Sequence, residues 1–172
     1  MGEHLVVLCG RGKINPEDAN TVLMSFLNHA ATPIKAHAIS FVGRVLADND
    51  DLPSDWIERF VLLWDWYWKR FAVDRAERDP ALFECFGWWV RSGKFEAKWC
   101  LDRLTEVVEV APNLAIDHMV ITQLADWSGG FPEAAVYCAY SMARGDKEGW
   151  HLDGWCDDLK RLLDTVMSSG NP

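Results

Sequence analysis

The sequence predicts an all-α fold: an α-solenoid of about four helical hairpins, about eight helices in all, wound as a right-handed HEAT-like superhelix. Three observations predict it. Turn phrases meet an apolar residue at regular intervals: "RGKI" ends at Ile14, "NDDL" at Leu52, "SGKF" at Phe95 and "SGGF" at Phe131, with spacings of 38, 43 and 36 residues. Such a period belongs to arrays of helical hairpins. Each phrase is followed by helix-opening chemistry, and the stretches between carry apolar residues at three- and four-residue spacing. Sustained period-two alternation is absent, although "HLVVLCG" could pass for a short strand in isolation.

Taken in order, "LVVLCGRGKI" occupies the place that "CFGWWVRSGKF" holds two hairpins later. It reads as the end of a hairpin's second helix. Terminal repeats normally carry a polar outer face, so residues 1–172 are expected to be one helical-repeat domain that is a fragment or terminal region of a longer solenoid. Helices follow near 16–30 and 33–47, opened by "NPEDANTVL" and "TPIKAHAIS". The second hairpin takes 53–73 and 80–92. Trp56, Phe60, Leu63, Tyr67 and Phe71 line one face of its first helix, and Pro53 and Pro80 sit where a missing N–H costs nothing. The third hairpin takes 95–110 and 114–127, the fourth 131–144 and 152–168. Leu152, Trp155, Leu159, Leu162 and Val166 form the inward stripe of the last helix. Thr32, Asp79 and Asn113 are the expected N-caps.

The glycines of the turn phrases are expected to be structural. Gly12, Gly93 and Gly129 close helices, Gly93 and Gly129 with positive φ, and Phe95 and Phe131 staple the helices that follow. A phosphate loop needs a hydroxyl residue after its Gly-Lys pair. Here Lys13 precedes Ile14 and Lys94 precedes Phe95, so neither phrase can cradle a nucleotide.

Composition narrows the function. The net charge of −9, from 26 acidic and 17 basic residues, disfavours a phosphate-backbone partner and anionic membranes. No apolar run approaches the roughly 18–20 residues of a membrane span. Cys9, Cys85, Cys100, Cys138 and Cys156 are odd in number and contain no CxxC pair. They are expected to be reduced, mostly buried thiols of a cytoplasmic protein. His151, Asp153, Cys156 and Asp157 cluster near one helix start without zinc-site spacing. No nucleophile–base motif occurs. No catalytic, cofactor or metal residue is therefore assigned.

Ten tryptophans are the outstanding feature. Trp64 and Trp68 share a helix face, whereas Trp66 lies about 200° from Trp64, and the adjacent Trp88 and Trp89 cannot share a face either. Trp66, Trp88, Trp89 and Trp150 are the candidate interaction residues, with at least one of the first three expected to be exposed, because exposed aromatics anchor partners.

Residues 85–165, about half the chain, carry a resemblance. Gly87-Trp88-Trp89, Ser92-Gly93-Lys94-Phe95, Trp99, Gly145-Asp146, Gly149-Trp150 and Gly154-Trp155 form a pattern that resembles the C-terminal helical-repeat region of large bacterial multidomain proteins. These include ATPase-like and sirtuin-like proteins implicated in antiphage defence. The resemblance implies a sensing or scaffolding segment whose effector lies elsewhere. The expected function is thus a non-enzymatic protein-interaction module that binds a protein partner or an adjacent domain. The alternative is a nucleic-acid-binding helical repeat, which the acidic charge disfavours.

Overall fold

The computed structural model describes residues 15–50, 52–72 and 79–169. Among them are eight α-helices, one 3-10 turn and no strand. The helices are α1 (Pro16–His29), α2 (Thr32–Asp48), α3 (Ser54–Phe71), α4 (Phe86–Arg91), α5 (Ala97–Val108), α6 (Asp117–Trp127), α7 (Pro132–Gly145) and α8 (Trp150–Ser169). The phrase "HLVVLCG", expected to end a hairpin's second helix, lies with Cys9 and Gly12 outside the described residues.

Local chemistry explains several helix starts. Asn15 caps α1, its side chain accepting from the Glu17 N–H at 3.0 Å. Asp79 caps the 3-10 turn at Pro80–Leu82, accepting from the Ala81 N–H at 3.1 Å. Thr32 is instead the first residue of α2, after Ala31.

Two expected helices are altered. The 80–92 segment is not continuous: a turn at 83–85 separates Pro80–Leu82 from α4. Partners from other segments take the carbonyls there. Tyr67 Oη donates to the Leu82 carbonyl at 3.2 Å, and the Ala115 N–H donates to the Glu84 carbonyl at 2.9 Å. The 114–127 helix starts late, at Asp117, because Ile116 adopts left-handed backbone with φ 53°. Asn113 therefore caps nothing.

Gly93 has φ +64° after α4, as its turn requires. Gly129 is not left-handed: the positive-φ glycines among the described residues are Gly93 and Gly149. After α6 the chain continues in right-handed turns, with the Gly130 and Phe131 N–H groups both donating to the Trp127 carbonyl at 3.0 Å. Phe95 is buried and packs on Trp99 at 4.8 Å between ring centroids. Phe131 is instead the N-cap residue of α7 and is 37% exposed, so it does not staple that helix.

Helices pack mainly on their second neighbours. α2, α4, α6 and α8 make a row, each against the next, while α1 packs on α3 and α5 on α7. Among the named stripe positions Trp56, Phe60, Leu63, Tyr67, Trp155 and Leu162 are buried. The core is aromatic at its centre: Trp64 lies 4.3 Å from Phe86 and 5.1 Å from Trp89, and Trp89 stacks on Phe95 at 5.7 Å.

Candidate interaction surface

The adjacent pair Trp88–Trp89 divides between surface and core. Trp89 is 0% exposed, and its Nε1 donates to the Ile39 carbonyl at 3.1 Å. Gly43 of α2 makes this possible. A Cβ there would stand 2.8 Å from both Trp88 Cβ and Trp89 Cδ1, closer than side-chain atoms tolerate. Trp89 is thus a core residue, which corrects its place among the interaction candidates.

Trp88, turned about 100° away along the helix, is half-buried at the seam between α2 and α4. The Arg44 and Arg91 guanidiniums both lie over its ring, each 5.2 Å from the centroid. Both arginines are exposed. Sequence reasoning named Trp88 but missed the arginines, because Arg44 sits 44 positions earlier and carries no local signal.

Trp66 is also half-buried, on the opposite side of α3 from Trp64, so none of Trp66, Trp88 and Trp89 is exposed, contrary to the expectation. It packs against the core and meets Phe71 edge-on at 5.9 Å. α3 has neighbours on more than one side: α1 contacts it, and Arg103 of α5 donates to Asp65 at 2.8 Å. The Trp150 side chain lies outside the described part of the structure.

Other groups fall into place as structure. Lys94 Nζ donates to Asp50 Oδ1 at 3.1 Å, so the second Gly-Lys phrase ties two loops together. His151 bonds through Nδ1 to the Asp117 carboxylate rather than meeting Asp153, Cys156 or Asp157. Cys85, Cys100 and Cys138 are buried and free, and burial pushes each thiol up to about 12. Cys156 is free but exposed, on the solvent side of α8, a departure from the expected buried set. An open cleft of about 480 Å³ lies where the ends of α5 and α7 meet, lined by Glu109, Tyr137, Ser141, Arg144 and Lys147 among others. Tyr137 Oη bonds Glu109 across it at 3.1 Å.

Among the described residues no helix is long and apolar enough to cross a membrane. No family model, curated protein or solved structure matches the chain.

Proposed function

We propose that the chain is a helical-repeat interaction module: four hairpins stacked as a HEAT-like, right-handed α-solenoid that binds a protein partner or a neighbouring domain and performs no chemistry itself. The row α2–α4–α6–α8 supports the stacking, since repeats in a solenoid touch their neighbours along one axis. The observation that carries the binding role is Trp88, a half-buried indole at a helix seam with a guanidinium over it from each of two helices. Aromatic and arginine side chains are the usual anchors of protein interfaces. The free thiols support a reducing, cytoplasmic setting. Within this proposal the module is a target-sensing or scaffolding part of a bacterial defence protein, a reading supported by the resemblance carried by residues 85–165.

Random-peptide display against the immobilised protein tests the binding role, with Trp88→Ala as the counter-selection target. Enrichment of sequences that bind the wild type and not the variant supports it. Equal retention on both, or no enrichment, overturns the assignment of this seam.

A further inference from the structure

The cations around Trp88 differ from those held in ion pairs. Carboxylates neutralise many cations: Arg59 pairs with Glu17, Lys94 with Asp50, Lys98 with Asp102, Arg103 with Asp65 and Glu106, and Arg161 with Asp126 and Asp158. Among the described arginines Arg44, Arg70, Arg91 and Arg144 have no such partner, and Arg44 and Arg91 are the two of these that share one tryptophan ring. Among the described residues no carboxylate lies within ion-pair distance of either. Arg44 donates only a 3.3 Å hydrogen bond, to the neutral Ser40 hydroxyl.

Their place over the indole, 5.2 Å from its centroid, bears on what these guanidiniums can do. A guanidinium resting on an aromatic face keeps its in-plane N–H groups directed outward, where they match a carboxylate in bidentate fashion. It has also lost much of its rotamer freedom before any ligand arrives, so less entropy is lost on binding. Gly43 fixes the spacing of the two helices that present them.

The surroundings limit the ligand. Exposed Asp48 lies one helical turn beyond Arg44 on α2. It disfavours a polyanion that continues along α2 past Arg44. A nucleic-acid strand carries a phosphate at every step. A protein segment can place a few carboxylates and then continue neutral.

We propose, resting on the interaction reading above, that the α2–α4 seam at Trp88 binds a short acidic segment of a protein partner. Its carboxylates bond Arg44 and Arg91, and an apolar residue between them packs on the exposed part of the indole.

Fluorescence anisotropy tests this with a fluorescein-labelled Glu-Leu-Glu-Leu-Glu peptide in a Gly-Ser background. Its Gln-Leu-Gln-Leu-Gln counterpart and a labelled oligothymidine strand serve as competing probes. The expected result is saturable binding of the acidic peptide that weakens with salt, and binding about tenfold weaker for the Gln peptide and for Arg44→Glu or Arg91→Glu. Arg91→Gln, which keeps most of the stem, should weaken binding in the same direction, and Lys160→Glu on α8 should leave it unchanged. Circular dichroism confirms that each variant is folded. Absence of binding by the acidic peptide, equal affinity for the Gln peptide, insensitivity to both arginine substitutions, or tighter binding of oligothymidine each overturns the proposal. Trp88-dependent display peptides that lack acidic residues would leave the interaction reading standing and defeat this one alone.

Discussion

Adjacent residues with the same side chain have opposite roles in Trp88 and Trp89. Trp89→Ala removes a fully buried indole and should cost about 3–5 kcal/mol, whereas Trp88→Ala removes a half-buried one and should cost roughly 1 kcal/mol. Urea unfolding of the two variants measures the contrast, and equal losses would place both indoles in the core. The turn glycines divide similarly. Gly93, with φ +64° and open space where a Cβ would stand, should lose about 1 kcal/mol on conversion to Ala from left-handed strain alone. Gly129→Ala should be neutral or slightly stabilising, since no positive φ is needed there. The thiols give a pH prediction with a definite sign. Cys85, Cys100 and Cys138 ionise near about 12 when folded, against an ordinary value of 9.0. As pH rises above about 9 the unfolded chain binds fewer protons than the folded one, so stability falls. Thermal melts from pH 8 to 11 should show this decline, and Cys138→Ala should make it shallower.

Among the elements, those governed by short-range chemistry were legible in the sequence. The α1 start at Pro16 and the inward stripes of α3 and α8 follow from local spacing, because proline geometry and a 3.6-residue period act within one or two turns. The break before α4 and the late start of α6 were not legible. Both depend on bonds between distant segments: Tyr67 to Leu82, and Ala115 to Glu84. Trp88 was visible as a candidate, yet its arginines come from packing of α2 on α4, which local sequence does not encode. These tertiary contacts hold Ile116 in a left-handed conformation that β-branched residues disfavour. Ile116→Asn and Ile116→Ala both discard the apolar side chain, but asparagine tolerates that backbone. The Asn variant should therefore be the more stable of the two by about 1 kcal/mol, and equal stability would show that the backbone relaxes freely. The approach of α4 to the chain just before α6 is tighter still. A Cβ on Gly87 would stand 1.9 Å from the Ala115 carbonyl oxygen, so Gly87→Ala should cost roughly 3 kcal/mol and separate these helices.

At the scale of the whole molecule, the proposed superhelix has a shape that solution scattering can test. A compact globule of this length has a radius of gyration of about 16 Å. Stacked hairpins should exceed that and give a distance distribution with a long tail, whereas a symmetric distribution near the compact value would indicate a closed bundle. The aromatic centre has an optical consequence. Trp64 and Trp89 lie 5.1 Å apart, with Trp56, Phe60, Phe86, Phe95 and Trp99 linked to them ring by ring. Indoles at such separations couple their electronic transitions and pass excitation among themselves. Light absorbed by one of these tryptophans is shared across the cluster before it is emitted, so the intrinsic fluorescence reports the integrity of the α3–α4–α5 core more than the environment of any one ring. The coupled transitions also add an aromatic band to the far-ultraviolet dichroism, and its disappearance on heating would mark loss of the core separately from loss of helix.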